Sequence, residues 1–175
     1  MPLTLLLGGA RSGKSAAALR LAQQGGAPVT YLATAEARDE EMAQRIARHK
    51  GERPPAWSTV EEPRELLAAM ERAPADQTLI IDCLTLWVSN LIDDLGDEQV
   101  LDRSAAAART AAARPGLVIA VSNEVGAGIV PMSALGRRYR DLLGQVNTIW
   151  ATHALRAALL VAGRLLWLPP GTDPT

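Results

Sequence analysis

LTLLLGGARSGKS, from Leu3 to Ser15, predicts more about the fold of this chain of 175 residues than any other segment. A short apolar run ends at Gly8, and Gly13-Lys14-Ser15 completes the phosphate-loop pattern G-x-x-x-x-G-K-[ST]. Glycines let backbone N–H groups turn toward an anion, and the helix that follows presents its positive end to it. Lys14 can reach the β- and γ-phosphates, and Ser15 can ligate Mg²⁺. The alternative is a glycine-rich strand–helix turn that binds nothing.

Composition narrows the class of protein. Hydrophobic residues make up 48% of the chain, which is typical of one globular domain covering residues 1–175. The net charge of −1 gives no electrostatic reason to expect nucleic acid. Cys83 is the only cysteine, which excludes an internal disulfide and fits a reducing cytoplasm. Because we find neither a signal-peptide pattern nor an apolar run long enough for a membrane span, we expect a cytoplasmic protein.

Apolar runs alternate with helical patterns along the chain. The predicted strands are Leu3–Leu7, Val29–Ala33, Trp57–Val60, Thr78–Ile81, Leu117–Val121, Leu159–Ala162 and Leu165–Leu168, the last two joined by a tight turn at Gly163-Arg164. The predicted helices are Ser15–Gln24, Asp39–Lys50, Arg64–Ala73, Leu84–Leu95, Asp97–Ala113 and Ser133 to about Arg156, with Gly144 as a break. Because the strands are apolar throughout, they predict an α/β fold: a mostly parallel sheet, helices on both faces and a C-terminal antiparallel edge hairpin.

The predicted sheet brings several polar segments to one edge. Ligands of parallel sheets bind at the carboxyl ends of strands, where the loop 8–15, Thr34, Asp82 and the segment 122–124 fall. Asp82 follows an apolar strand, and a carboxylate there can hold Mg²⁺ opposite Ser15. The alternative is an acidic residue that caps the next element. We interpret Cys83 as a packing residue that points the other way.

His49 is a candidate nucleophile and one of two histidines in the chain. It shares a helix face with Met42 and Ile46, so a histidine that ends an apolar stripe is one interpretation. Four cations stand within nine residues of sequence: Arg45, Arg48, Lys50 and Arg53. They disfavour the imidazolium form and would stabilise charge on a phosphate under attack. The second interpretation is therefore a neutral imidazole that attacks an α-phosphate and expels pyrophosphate. Both remain open on these residues alone, whereas His153, among alanines and apolar residues, is interpreted as structural.

Four blocks of sequence carry a resemblance to a known family. They are GGARSGKS; YLATAEARDEEMAQRIARHKGERP with WSTVE; DCLTLWVSNL; and SNEVGAGIVP with GRRYRDLLGQVN. In order and spacing they resemble the adenosylcobinamide kinase / adenosylcobinamide-phosphate guanylyltransferase family, from Leu3 to about Gly163. The resemblance implies a RecA-like P-loop fold and a bifunctional enzyme of cobalamin biosynthesis. Such an enzyme phosphorylates adenosylcobinamide with ATP or GTP and then transfers GMP from GTP to adenosylcobinamide phosphate. The resemblance also implies a homo-oligomer, since members of the family tend to form trimers.

The resemblance further implies roles for individual residues. In the family the guanylylated histidine follows R-I-x-x, which here is Arg45-Ile46-Ala47-Arg48, so His49 is the matching position, and Lys14 serves both transfers. The matching nucleotide contacts are Gly8, Gly9, Ala10, Arg11, Ser12, Gly13, Lys14, Ser15, Thr34, Ala35, Glu36, Lys50, Gly51, Glu52, Arg53, Glu61 and Asp82. Glu61 and Glu62 stand together, so the choice between them remains open. The chain departs from the family pattern at Asn147-Thr148, at Arg156 and in its ending GRLLWLPPG. These departures bear on the packing of the C-terminal part or on subunit contacts, and not on the chemistry.

Two other functions remain open from the sequence. One is a single-activity small-molecule kinase in which His49 is structural, which the absence of a covalent GMP adduct would identify. The other is a RecA-like nucleotide switch with a macromolecular partner, identified by ATPase activity that responds to DNA or protein and not to a corrinoid. The near-neutral net charge weighs against a DNA partner.

Overall fold

A computed structural model describes residues 3–37 and 39–170, apart from the side chain of Arg45. The elements in chain order are β1 (Leu3–Gly8), α1 (Lys14–Gln24), β2 (Val29–Ala33), α2 (Glu40–Gly51), β3 (Ser58–Glu61), α3 (Leu66–Arg72), β4 (Thr78–Asp82), α4 (Leu84–Leu91), α5 (Asp97–Ala113), β5 (Val118–Val121), α6 (Ala134–His153), β6 (Arg156–Val161) and β7 (Arg164–Leu168). This alternation of strands and helices confirms the predicted α/β class.

The seven strands form one sheet in the order β3-β2-β4-β5-β1-β6-β7. Neighbouring strands run parallel except for β6 and β7, which form an antiparallel hairpin at one edge. β1 lies between β5 and β6, with Leu5 opposite both Ala120 and Ala157. The strand that leads into the phosphate loop is therefore flanked on both sides.

Helices cover both faces of this sheet, as predicted, but unequally. Helices α3 to α6 bury Leu3 and Leu5 of β1 on one face. Helix α1 packs on the other face with Leu6, through small residues such as Ala17 and Ala18. Because successive strand residues point to opposite faces and both faces are covered, the strand is apolar at consecutive positions.

Helix α2 is the exception to this packing. Asp39 caps its first turn by accepting a hydrogen bond from the backbone N–H of Met42 at 2.7 Å. Acids occupy its first turn and bases its last, which complements the helix dipole. None of its described side chains is buried. Local capping and charge thus determine where α2 begins and ends, and packing against the sheet core contributes little to its stability.

Two predictions about the last helix are wrong. Gly144 does not break α6, because Leu142, Leu143 and Val146 are buried at helical spacing on either side of it. Gly144 itself faces open space, where a missing side chain lowers helix propensity without ending the helix. The helix ends at His153, and Arg156 instead begins β6 opposite Thr4 of β1.

The bounds of the hairpin and of α4 also differ from the prediction. The turn residues of the hairpin are Ala162 and Gly163, with φ of 50° and 76°, and not Gly163 and Arg164. Positive φ at both central residues is the geometry of a two-residue type I′ turn. Helix α4 ends at Leu91 and does not reach Leu95. The sequence also predicts a short loose tail from Pro169 to Thr175, and residues 171–175 of it lie outside the described part of the chain.

Candidate active site

The phosphate loop joins β1 to α1 through a backbone that glycine alone accommodates at two points. Gly8 has φ of 151°, and a Cβ there would stand 2.5 Å from the carbonyl oxygen of Leu160. Gly13 has φ of 97°, immediately before α1. Arg11 takes φ of 56°, which is uncommon for a residue with a side chain and costs free energy. The loop conformation is therefore set by steric fit as well as by sequence.

Two other segments of the chain support this loop from outside. The carbonyl oxygen of Gly8 accepts a hydrogen bond from the backbone N–H of Glu124, at 3.1 Å, in the loop after β5. The carbonyl oxygen of Ser12 accepts one from Gly163, at 3.0 Å, in the β6–β7 turn. The edge hairpin thus has a structural role at the site, because its turn holds the phosphate loop in place.

Lys14 lies within the loop, and its side chain reaches back across it. The side-chain amine donates to the carbonyl oxygens of Gly8 at 2.8 Å and Gly9 at 2.6 Å, and to the Ser12 hydroxyl at 3.3 Å. Lys14 is 7% exposed. The first N–H groups of a helix have no intrahelical acceptor, so the start of α1 adds donors beside this cation. The arrangement favours a polyanion such as a triphosphate.

A cavity of about 640 Å³ opens at the carboxyl ends of the strands. It brings together most of the residues that the sequence assigned to the site: Ala10, Arg11, Ser12, Gly13, Lys14, Ser15, Ala35, His49, Glu52, Arg53, Glu61 and Asp82. The phosphate loop and the candidate nucleophile therefore line the same cavity, although His49 lies on a different element.

The remaining predicted contacts are not part of the cavity lining: Gly8, Gly9, Thr34, Glu36, Lys50 and Gly51. Gly8 and Gly9 instead hold the Lys14 amine through their carbonyl oxygens. Thr34 is fully buried, and its hydroxyl donates to the carbonyl oxygen of Cys83 at 2.7 Å and accepts from its N–H at 2.8 Å. Thr34 thereby ties the end of β2 to the residue after Asp82.

The face of α2 that carries Met42, Ile46 and His49 lines the cavity. All three side chains are half-buried. Arg48 lines the same cavity and brings a positive charge to it. The apolar stripe seen in the sequence therefore belongs to the site and not to the sheet core.

A cluster of three side chains joins β2, β4 and the segment after α2. The Tyr31 hydroxyl donates a hydrogen bond to Oδ2 of Asp82. The Arg53 guanidinium lies 3.7 Å from the centroid of the Tyr31 ring, within the range of a cation–π contact. Burial, and then the charge of Asp82, raise the pKa of Tyr31 above its usual value, so the hydroxyl keeps its proton. Sequence reasoning missed Tyr31, because nothing in the run VTYLA separates it from core residues.

The two adjacent acids after β3 have different surroundings. Glu61 lines the cavity and forms an exposed ion pair with Lys50 at 3.0 Å. Glu62 accepts from the N–H groups of Glu65 at 3.0 Å and Arg64 at 3.1 Å, just before α3. These donors lower the pKa of Glu62 from its usual value of 4.5, Glu65 more than Arg64. The geometry favours Glu61 as the nucleotide contact and Glu62 as a cap.

Ser15 and Asp82 offer the oxygen donors that Mg²⁺ prefers, a hydroxyl and a carboxylate, in one cavity. Across residues 3–37 and 39–170, no three histidine, cysteine or acidic side chains are grouped closely enough to hold a metal by themselves. Mg²⁺ in kinase sites usually takes one or two protein oxygens and completes its shell with phosphates and water. The residues present therefore fit Mg²⁺ that arrives with a nucleotide. Cys83 packs against the apolar cluster beneath α1, as predicted, but it also lines this cavity and so does not simply point the other way. Burial, and then the Asp82 charge, raise the pKa of its thiol to about 12.

A phosphate loop that follows an interior strand, β1, of a mostly parallel, helix-covered sheet defines the class of RecA-like P-loop nucleotide-binding proteins. The profile of the cobinamide kinase / cobinamide phosphate guanyltransferase family matches residues 4–168, and the chain belongs to this family.

Curated relatives agree with this assignment, and a solved structure agrees with the fold. The chain is 47% identical over 161 residues to the bifunctional adenosylcobalamin biosynthesis protein CobP of Pseudomonas aeruginosa, covering 91% of this chain and 92% of that protein. It is 40% identical to the bifunctional protein CobU of Salmonella typhimurium, covering 92% and 96%. The RadB recombinase shares the fold, with a TM-score of 0.52 at 15% identity over 90% of this chain and 73% of that one. Within the described residues, no helix has the length and apolarity that crossing a membrane requires.

Proposed function

We propose that this chain phosphorylates adenosylcobinamide with ATP or GTP and then transfers GMP from GTP to the resulting phosphate, using one nucleotide cavity for both steps. Family membership and the bifunctional relatives support the two reactions. The observation that carries the shared site is that His49 and the phosphate loop line one cavity.

In the kinase step, the hydroxyl oxygen of adenosylcobinamide attacks the γ-phosphorus. A new P–O bond forms, the bond from that phosphorus to the β–γ bridging oxygen breaks, and the nucleoside diphosphate and the hydroxyl proton leave. Lys14 and the N–H groups at the start of α1 bind the phosphates and stabilise the charge that moves onto the leaving group. His49 takes no part in this step.

In the guanylyl step, a nitrogen of His49 attacks the α-phosphorus of GTP. A P–N bond forms, the bond from phosphorus to the α–β bridging oxygen breaks, and pyrophosphate leaves. A phosphate oxygen of adenosylcobinamide phosphate then attacks the same phosphorus, which breaks the P–N bond and restores the imidazole. Arg48, in the cavity lining, adds positive charge near the phosphates in both half-reactions.

The remaining predicted contacts take supporting roles in this scheme. Ser15 and Asp82 would hold Mg²⁺, which when bound offsets negative charge on the phosphates. Arg53, Glu52, Glu61 and Ala35 line the cavity and would contact the rest of the nucleotide. Thr34, Glu36, Lys50 and Gly51 are not part of that lining and would support the residues that are.

Replacement of each histidine in turn tests the role of His49. We expect His49→Ala to abolish protein labelling by [α-³²P]GTP and to keep phosphorylation of adenosylcobinamide by ATP within about threefold of wild type. The matched control is His153→Ala, which removes the only other histidine, at the end of α6. It should keep both activities. The adduct itself should be labile in acid and stable in base.

The possible results separate the candidate functions. Labelling that survives in His49→Ala would exclude His49 as the nucleophile. If the wild-type protein showed kinase activity but formed no GMP adduct, the result would favour a single-activity kinase. ATP hydrolysis stimulated by DNA or protein and indifferent to the corrinoid would favour a nucleotide switch.

We also propose that the protein is a homo-oligomer, with a trimer as the arrangement implied by the family resemblance. Edge strand β7 exposes Leu166, Trp167 and Leu168, and the loop before α6 exposes Ile129 and Met132. An exposed strand edge and apolar patches of this kind usually mark interfaces. Light scattering after size-exclusion chromatography should give a mass above that of one chain. The compartment we propose is the cytoplasm, which supplies ATP and GTP.

A further inference from the structure

We infer that Tyr31 is a positioning residue of the nucleotide site. It holds Asp82 through its hydroxyl and Arg53 through the face of its ring. The first half of this inference rests on the proposed role of Asp82 in binding Mg²⁺ with the nucleotide. The second half rests on the proposed contact between Arg53 and the nucleotide.

The sheet register explains how one side chain reaches two others. β2 lies between β3 and β4, and Tyr31 pairs with Thr59 on one side and Ile80 on the other. Paired residues in a parallel sheet point to the same face, as do residues two apart on one strand. Asp82, two residues beyond Ile80, therefore lies diagonally ahead of Tyr31 on the same face. The phenol spans that diagonal and ends at the carboxylate.

The hydroxyl contact fixes the orientation of Asp82. Tyr31 is 3% exposed, so its ring is held by the core, and its hydroxyl donates to Oδ2 of Asp82. A donor that engages one carboxylate oxygen restricts the rotation of the group that lines the cavity. Partners of this kind orient metal ligands, and their loss typically weakens metal affinity about 10–100-fold.

The Tyr31 ring contacts the Arg53 guanidinium, which forms no ion pair with an acidic side chain among the described residues. The guanidinium of Arg53 lies over the ring, and its Nη1 donates to the Thr59 hydroxyl at 3.4 Å. Its Nε is buried with no hydrogen-bond partner among the described residues. Because an aromatic face positions the guanidinium without supplying a negative charge, the positive charge of Arg53 is preserved for an anionic ligand.

Metal binding to the protein–GDP complex tests the hydroxyl contact without turnover. Free Mn²⁺, used as the probe for Mg²⁺, is measured by electron paramagnetic resonance during titration of the complex. For Tyr31→Phe, which keeps the ring, we expect the dissociation constant for Mn²⁺ to rise about tenfold. The affinity for a fluorescent GDP analogue in EDTA should change less than twofold. The matched control is Tyr139→Phe, which loses the only other tyrosine hydroxyl, donated to the Thr85 carbonyl at 3.1 Å; it should change neither quantity.

Asp82→Asn separates the two ways in which this test can fail. If Asp82→Asn weakens Mn²⁺ binding and Tyr31→Phe leaves it within twofold of wild type, the inference about Tyr31 is wrong and the metal role stands. If neither variant changes Mn²⁺ binding, the metal role of Asp82 fails and the hydroxyl half of the inference fails with it. Thermal unfolding within a few degrees of wild type confirms that the variants are folded.

Nucleotide affinity in EDTA tests the ring contact. Tyr31→Leu removes the aromatic face, so we expect the GDP analogue to bind at least fivefold more weakly than to Tyr31→Phe. Tyr31→Met, which fills more of the same space, is the second variant should the leucine form fold poorly. Equal affinities for the phenylalanine form and either aliphatic form would overturn this half of the inference.

Discussion

The phosphate loop and helix α2 line one cavity but are held in opposite ways. The loop is fixed by hydrogen bonds from the segment after β5 and from the β6–β7 turn, and Lys14 within it is nearly buried. Helix α2 has no buried side chain among those described, and its contacts at the site include an exposed ion pair between Lys50 and Glu61. Exposed ion pairs of this kind contribute roughly 0–1 kcal/mol.

The difference shows where the geometry of each reaction is determined. Phosphate binding, which both transfers share in the proposed scheme, would depend on parts of the chain that the sheet core fixes. The proposed nucleophile sits on an element that the core does not fix. Substitutions in the loop should therefore affect stability and both reactions, whereas substitutions in α2 should affect guanylyl transfer and leave stability nearly unchanged.

The largest expected effect is that of Lys14→Ala. Loss of a positioned charge at the phosphates should lower kinase and guanylyltransferase rates by about 100-fold or more. The control is Arg20→Ala, which removes an exposed cation from the same helix and should leave both rates within about twofold. The rates of both reactions, measured on the same preparations, test whether Lys14 serves both. Loss of only one reaction would contradict a shared phosphate site.

Gly8→Ala should give the next largest effect, on stability. The new Cβ would lie 2.5 Å from the Leu160 carbonyl oxygen and 2.8 Å from the Ser12 hydroxyl, at φ of 151°. Strain and overpacking together should lower the free energy of unfolding by about 2–4 kcal/mol. Gly144→Ala, in open space on α6, is the control and should raise it by about 0.5–1 kcal/mol. Urea unfolding measures the stability of both variants. If Gly8→Ala were as stable as wild type, the loop would have room to adjust.

A smaller effect should distinguish the two acids after β3. Glu62→Ala removes an acceptor for two backbone N–H groups and should cost about 1–2 kcal/mol near pH 7. Because the folded pKa lies below the usual 4.5, this stabilisation is present above that value and lost as the pH falls through the folded pKa. The stability difference from wild type should therefore shrink below about pH 4.5.

Glu61→Ala is the matched neighbour in the same urea experiment. It removes an exposed ion pair, so the free energy of unfolding should change by less than about 0.5 kcal/mol while nucleotide binding weakens. The reverse pattern, with Glu61 needed for stability and Glu62 for binding, would exchange the two assignments.

A further small effect should come from Gly51→Ala at the end of α2. A Cβ there meets nothing within 4 Å, and alanine favours the helix, so stability should rise by no more than about 1 kcal/mol. Thermal unfolding of the variant measures it. A clear loss of stability would mean that the end of α2 is packed, contrary to the contrast with the phosphate loop.

Much of the phosphate-binding part of the site could be predicted from the sequence, because local sequence patterns determine it. The apolar run of β1, the loop glycines and Asp82 at the end of β4 follow from strand periodicity and phosphate-loop spacing. The support from Gly163 could not be predicted, since it depends on a turn 150 residues away in sequence. Positive φ at Ala162 is likewise imposed by the hairpin and not by the residue type.

For α2 and Tyr31, the sequence could not predict which parts of the chain their side chains would contact. Spacing placed Met42, Ile46 and His49 on one face of α2, and the structure places that face on the cavity. Spacing alone could not say which surface the face would meet. The role inferred for Tyr31 depends on sheet register and on a side chain from outside the strands, neither of which the run VTYLA encodes.

Mapping the covalent adduct tests whether His49 is the residue that carries GMP between the two half-reactions. The protein is incubated with GTP and Mg²⁺ without acceptor, digested under basic conditions and analysed by mass spectrometry. We predict one GMP on the peptide that contains His49, released when adenosylcobinamide phosphate is added. GMP on another residue, or an adduct that the acceptor does not discharge, would contradict the account.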